Sequence, residues 1–265
     1  MAERIGRLVS RWTIVNGLPM HAMVSVEPLP AAAPVVVLVH GAGLSHRYMM
    51  PTAVRLAPHV RVWVPDLPGY GLSADPGHIL TIPELADALA AWMDAVGLEQ
   101  AAFLGNSMGC QIIAHFAVRY PDRIERAILQ GPTTDPQART PWQQFWRWFR
   151  KMNREKPEQT PVNLREYRDA GLRRVARSVW HSWYDPIEDQ LPHMHVPTLV
   201  VRGTGDTIVP QRWAEEVTRL LPLGQLVVVP GAMHTMNFQQ PLELARVSLP
   251  FLQAGRQRQS TAQAA

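Results

Sequence analysis

The residues most able to do chemistry together are one serine, one aspartate and one histidine. Ser107 lies in Gly105-Asn106-Ser107-Met108-Gly109, between a short apolar run at 101–104 and a helix-like run at 110–120. A serine on a sharp strand-to-helix turn has its hydroxyl held out at the sheet edge, and flanking glycines leave the backbone room to turn. A hydroxyl is a weak nucleophile at neutral pH, so it needs a base to take its proton and a carboxylate to hold that base. Asp206 follows the apolar run 197–201 in Gly203-Thr204-Gly205-Asp206, and His234 follows 226–229 in Gly231-Ala232-Met233-His234. Each group sits just past an apolar run, where a parallel sheet gathers its loops. Asp135, just past the run 127–130, is a rival acid. Together these residues predict acyl transfer through a serine nucleophile.

The elements that must hold them alternate along the chain. Strands are predicted near 7–15, 20–26, 35–39, 60–64, 101–104, 126–130, 197–201 and 225–229, and helices near 47–58, 82–96, 109–120, 211–221 and 241–253. That alternation predicts an α/β fold, a mostly parallel sheet of about eight strands wrapped by helices. Residues 35–39 are a continuous β-branched run of the kind a strand buried on both faces requires. Thr81-Ile82-Pro83-Glu84 carries helix start signals: a cap residue, an early proline and a glutamate three residues on. Composition agrees, since 265 residues at 46% apolar content suffice for one sizeable core.

After 35–39 comes His40-Gly41-Ala42-Gly43, small residues whose amides can face an oxyanion. With this loop and the serine turn, the chain resembles the α/β-hydrolase superfamily over residues 1 to about 255. The resemblance implies that the amides of Ala42 and Met108 form the oxyanion hole. Asp66-Leu67-Pro68-Gly69-Tyr70-Gly71 is similar to a further loop of the family and reads as structural, Asp66 tying amides of a multiple turn. The stretch 133–195 lacks strand-like runs and looks like the family's helical cap, inserted after strand six, leaving 1–132 and 196–255 as the core. Trp142, Phe145, Trp146 and Phe149 recur at helical spacing there, giving one aromatic face to line substrate or dock the cap. The substrate-binding candidates are Gly41, Gly43, Asn106, Trp142, Trp146 and Met233.

Charge and cysteine usage narrow the class. The net charge is +4, and eleven basic residues fall between Arg139 and Arg177, interleaved with acids as on a solvated helical face. No recognition helix or aromatic-studded sheet accompanies them, so a nucleic-acid partner is not expected. One cysteine, Cys110, excludes an intrachain disulfide and reads as a small buried residue. Neither a metal-ligand spacing nor a phosphate-cradling glycine loop stands out, so no metal and no cofactor is expected. A signal peptide and an 18-residue apolar run are both missing, which predicts a cytoplasmic protein without a membrane partner. The polar stretch 256–265 is expected to lack fixed structure. The oligomeric state, monomer or homodimer, stays open.

The function expected is a serine hydrolase acting on carboxylic esters of a small, largely apolar substrate molecule through an acyl-enzyme. Gly105-Asn106-Ser107-Met108-Gly109 followed by Tyr120-Pro121-Asp122-Arg123 is also similar to hydrolases that cleave carbon–carbon bonds in ring-fission products. Those usually carry tryptophan after the catalytic histidine, where this chain has Thr235. In that alternative Arg173, Arg174 or Arg177 would hold an acidic dienol. Lactone hydrolysis and perhydrolysis use the same parts, and a ligand receptor that kept the fold is a remote third class.

Overall fold

The computed structural model describes residues 3–26, 29–30, 33–152 and 157–263. Its strands are β1 (Arg4–Ile5), β2 (Leu8–Val15), β3 (Leu18–Ser25), β4 (Val35–Val39), β5 (Arg61–Pro65), β6 (Ala101–Asn106), β7 (Ile124–Gln130), β8 (Thr198–Gly203) and β9 (Gly224–Val229). They form one sheet in the order β1-β2-β3-β5-β4-β6-β7-β8-β9. Pairing is parallel from β5 through β9 and antiparallel among β1, β2, β3 and β5. The ninth strand, β1, was not expected: it is two residues folded back on Leu8 and Val9 around Gly6 at φ 59°, too short to show a period.

The longer helices are α1 (His46–Leu56), α2 (Ile82–Ala95), α3 (Met108–Arg119), α4 (Pro141–Met152), α5 (Thr160–Ala170), α6 (Leu172–Tyr184), α7 (Ile187–Gln190), α8 (Gln211–Leu220), α9 (Met236–Gln239) and α10 (Pro241–Gln263). The period of two in β4 sorts its residues between two cores. Val35, Val37 and Val39 pack with Phe103 and with residues of α2, α3 and α8, whereas Val36 and Leu38 pack with Leu104 and with residues of α1 and α10. Both faces of the sheet are therefore covered, as a parallel sheet demands. The start signals of α2 are realised as a capping box, the Thr81 amide donating to Glu84 Oε2 at 2.8 Å.

Two features position the site. The parallel ladders bring Val39 level with Gly105, Asn106 with Gln130, Gln130 with Val201, and Gly203 with Val229, so these strands end together. The chain also leaves β4 for β5 on one side and later returns to β6 on the other, and such a reversal opens a crevice beyond the strand ends. Helices α4 to α7 all lie between β7 and β8 in sequence.

The chain end differs from expectation. Rather than losing structure at 256, α10 continues to Gln263, with only 264 and 265 outside the described residues. Extending an established helix through Gln, Arg and Ala needs no new nucleus, which composition alone does not reveal. No helix among the described residues is long and apolar enough to cross a membrane.

Phe103 is fully buried in the middle of β6, its ring 4.7 Å from that of Phe116 on α3. Phe103→Ala should lower unfolding stability by about 3–5 kcal/mol in urea denaturation. A loss below about 1 kcal/mol would show that this strand does not anchor the core.

Candidate active site

Ser107 is one of two non-glycine residues at positive φ among those described, with φ 55° and ψ −120°. The chain must turn there from β6 into α3 within a single residue. Its amide donates to the Gln130 carbonyl of β7 at 3.1 Å, which pins the turn to the neighbouring strand. The flanking glycines answer to crowding. A Cβ at position 105 would lie 2.7 Å from the Gly109 carbonyl, and one at 109 would run into the carbonyl of Val39.

Asp206 and His234 meet as their spacing suggested. Asp206 Oδ2 lies 2.8 Å from His234 Nδ1, and Oδ1 accepts the amides of Ile208 at 2.8 Å and Val209 at 2.9 Å. Burial opposes ionisation of this carboxyl, but the charge and hydrogen bond of His234 and the two amides outweigh it and hold Asp206 below the usual carboxylate range. An ionised Asp206 only accepts, so the hydrogen between the two groups is carried by His234 Nδ1. Asp135 is occupied elsewhere. Its Oδ2 takes the guanidinium of Arg147 at 2.7 Å and that of Arg212, and its Oδ1 takes the Gln137 amide at 3.1 Å.

Gln130 and Gly131 gave no signal in the sequence, and Asn106, expected to bind substrate, is engaged with the His234 loop. The carbonyl of His234 is held by Gln130 Nε2 at 2.8 Å and by Asn106 Nδ2 at 3.2 Å, and Asn106 also donates to Gln130 Oε1 at 2.7 Å. The imidazole loop is thereby fixed from the ends of β6 and β7. Gly131, at φ 62°, follows directly, and a Cβ there would press on the His234 ring at 3.0 Å. Only the side-chain-free, left-handed conformation lets the ring pass.

Ser107 and His234 open into a cavity of about 340 Å³ with Gly41, Ala42 and Asn106 on its floor. Met108 is the first residue of α3, where an amide has no helix carbonyl to pair with. The walls are Leu44 and Tyr48 on one side and Tyr167, Val175, Val179 and Trp183 on the other, with Gln144, Ser182, Thr133, Thr134 and Ile208 completing them. No arginine, lysine, aspartate or glutamate is among these described lining residues.

Several expected lining residues lie elsewhere. Trp142 and Trp146 are 65% and 42% exposed and stack edge to face at 5.4 Å on the outside of α4, while Gln144 between them turns inward. Helical spacing identified the aromatic face without showing which way it looks; the side chain of Phe145 lies outside the description. Gly43 turns at φ 71° beneath Val175 and Tyr167 rather than into the cavity, and the Met233 sulfur packs beside Gly205. Arg173, Arg174 and Arg177 line a separate cleft.

The helical insertion is bound to the body by polar contacts. Arg47 of α1 meets Glu166 and Asp169 of α5, each at 3.0 Å, and Tyr70 Oη lies 2.6 Å from Ser178 Oγ of α6. From α3, Gln111 donates to the Ser182 carbonyl at 2.8 Å, and His115 Nε2 lies 2.7 Å from Asp185 Oδ1. Beyond the loop after β4, Asp66 accepts the amides of His46 at 2.7 Å and Leu72 at 3.0 Å, besides Nδ1 of His21 and of His46 at 2.8 Å. Desolvation works against that charge, yet the two imidazoles keep the carboxyl far below its ordinary range. His21, His46 and Asp66 are close enough to share a cation, an arrangement with no linear spacing to announce it. Their separations are also those of N–H···O hydrogen bonds, a sufficient account of the cluster. Cys110 is buried behind the turn, and desolvation raises its thiol pKa well above normal.

The chain matches the family described as alpha/beta hydrolase fold over residues 34–166, and that described as TAP-like protein over 177–257. It is 24% identical over 255 residues to a pimeloyl-[acyl-carrier protein] methyl ester esterase of Vibrio vulnificus, covering 82% of this chain and 94% of that one. Among solved structures, a thermophilic esterase from Thermogutta terrifontis superposes with a TM-score of 0.75 at 24% identity, over 92% of this chain and 98% of that one. The enol-lactonase from Burkholderia xenovorans does so with a TM-score of 0.72 at 23% identity, over 91% and 99%. At these identities the structural likenesses establish the fold.

Two outcomes follow from this geometry. Because the backbone at 107 is left-handed, Ser107→Gly should be more stable than Ser107→Ala by about 1 kcal/mol, the reverse of the usual order, as read from urea midpoints. An equal or opposite ranking would mean that the turn is unstrained. Asp206 has its folded pKa below the ordinary 3.8, so the stability it contributes is complete above that pH and is lost as pH falls through the depressed value. Asp206→Asn should therefore flatten the dependence of stability on pH below about 4, which acid titration of the melting temperature would reveal.

Proposed function

Since this chain belongs to the α/β-hydrolase fold family and is a hydrolase by that membership, we propose that it cleaves carboxylic esters of small, largely apolar substrates with Ser107 as nucleophile. The observation that carries this reading is a single one: the Ser107 turn and the Asp206–His234 pair open into one cavity whose described walls hold no charged side chain but many apolar ones. A neutral acyl group of modest size suits such a space; a charged one would lose its water without gaining a counter-ion.

In the proposed reaction Ser107 Oγ attacks the ester carbonyl carbon while its proton passes to His234 Nε2, and the carbonyl oxygen becomes an oxyanion held by the Ala42 and Met108 amides. Asp206 stabilises the imidazolium through Nδ1. Collapse breaks the carbon–oxygen bond, and the alkoxide leaves with the proton from His234. Water, deprotonated by the same nitrogen, then attacks the acyl-enzyme and releases the acid and Ser107. Residues 133–195 act in this proposal as the cap, with Val175, Val179 and Trp183 as its acyl-facing wall. The names of relatives that hydrolyse a methyl ester support the class of bond.

Lactone hydrolysis needs the same steps and stays a variant of this reading. The carbon–carbon alternative loses its anchor, because the arginines assigned to its acidic dienol do not line the cavity of Ser107.

A fluorophosphonate probe should label the parent and leave Ser107→Ala unlabelled and inactive on p-nitrophenyl acetate. Asp206→Asn should cut kcat on the order of 10⁴-fold, with Asp135→Asn far milder. Appreciable hydrolysis by Ser107→Ala would remove the nucleophile assignment. A hundredfold or greater kcat/KM preference for a vinylogous 1,5-diketone over simple esters, about 2.7 kcal/mol, would overturn the ester reading.

A further inference from the structure

Helix α6 separates two cavities of opposite character. Val175 and Val179, one turn apart, face the cavity of Ser107. Arg173 and Arg177, also one turn apart, face a second cleft of about 440 Å³ together with Arg174, Asp75 and His78. At 100° per residue these two pairs lie on nearly opposite sides of the helix. The second cleft therefore shares a wall with the first but opens away from it.

Its charge is unbalanced. Arg174 is 7% exposed, paired with Asp75 at 2.5 Å, and rests against the Tyr70 ring with 5.8 Å between guanidinium carbon and centroid. Its guanidinium occupies the place where a Cβ at Gly69 would stand. The head group is thus fixed before any ligand arrives. Arg173 and Arg177 are exposed and have no hydrogen bond or ion pair among the described residues, unlike Arg47, Arg119, Arg139 and Arg219, which each meet a carboxylate. Three guanidinium groups thus face one lining carboxylate. Ala170 and Gly171, where α5 ends and α6 begins, line the same cleft, and the first turn of α6 holds no acidic residue to offset the arginines.

We propose that this cleft is a binding site for a phosphate or phosphate-monoester group, held by Arg173 and Arg177 over the fixed Arg174. Several guanidinium forks around one pocket match a tetrahedral oxyanion by paired N–H donors, which neither a neutral ligand nor a cation would use. The group is either a free phosphate compound or the phosphate end of a longer ester substrate. The site does not depend on the assignment of Ser107.

Titration calorimetry of the whole protein with inorganic phosphate at low ionic strength tests it. The parent should bind saturably at one site, and Arg173→Gln/Arg177→Gln, two exposed positions whose exchange leaves the melting temperature in place, should bind at least tenfold more weakly. Parent protein with Ser107 blocked by fluorophosphonate should bind as before. No saturable binding, equal binding by the double variant, or loss on blocking Ser107 overturns the proposal. Kinetics then identify the source. A change in KM for neutral p-nitrophenyl butyrate on adding phosphate, abolished in the double variant, assigns a free ligand. A KM increase in the double variant confined to a p-nitrophenyl ester bearing a terminal phosphate assigns the substrate's own tail. Calorimetry needs no turnover, so an inactive enzyme would count against the ester reading and leave this one standing.

Discussion

A serine held at φ 55° is the constraint on which the rest of the site depends. Such a backbone costs on the order of 1–3 kcal/mol and persists only where its surroundings over-determine it. Here the surroundings are the strand ends. The Gln130 carbonyl fixes the Ser107 amide, the carbonyl of Val39 leaves no space for a side chain at 109, and α3 is committed to the core through Ile112, Ile113 and Phe116. The same level of the sheet supplies Gln130 and Asn106 to hold the His234 carbonyl. The proposed nucleophile and base are thus referenced to one rigid edge, the kind of support that keeps reacting groups within a fraction of an ångström.

The insertion shares that frame. Its links run to three different parts of the body: α1 through Arg47, the loop after β5 through Tyr70, and α3 through Gln111 and His115. Since α3 begins at the serine turn, the helix that carries Met108 also carries the groups that hold the wall at Ser182 and Asp185. Floor and wall are coupled through a single helix. The charged members of these links, Arg47, Glu166, Asp169 and Asp185, do not line the cavity, so Val175 and Val179 are held over the floor without bringing charge into it.

Much of this was legible in the sequence because it rests on residue type and position relative to strands. Ser107, Asp206 and His234 follow apolar runs, and the structure brings Asp206 and His234 into contact while Asp135 goes to two arginines. The sheet was legible for the same reason, β4 showing its double burial in five consecutive β-branched or aliphatic residues. What stayed hidden depends on direction and on unremarkable residue types. Trp142 and Trp146 share a helical face with a clear period, but a period carries no sign, and the inward residue is Gln144. Gln130 and Gly131 look like the ordinary end of a strand until the histidine loop arrives from a hundred residues away. His21, His46 and Asp66 come from three separate segments, so only the folded chain assembles them.

The loop from Asp206 to Val209 also bears on how this chain can vary. Asp206 is oriented by the main-chain N–H groups of 208 and 209, not by any side chain there. The side chain of Ile208 meanwhile faces the cavity. Position 208 therefore serves two masters through separate atoms, and its side chain is free to drift in size without disturbing the acid. Proline is the one residue type barred from 208 and 209, because it has no N–H to give. The first proline after Asp206 is Pro210, immediately beyond the last amide the carboxylate uses.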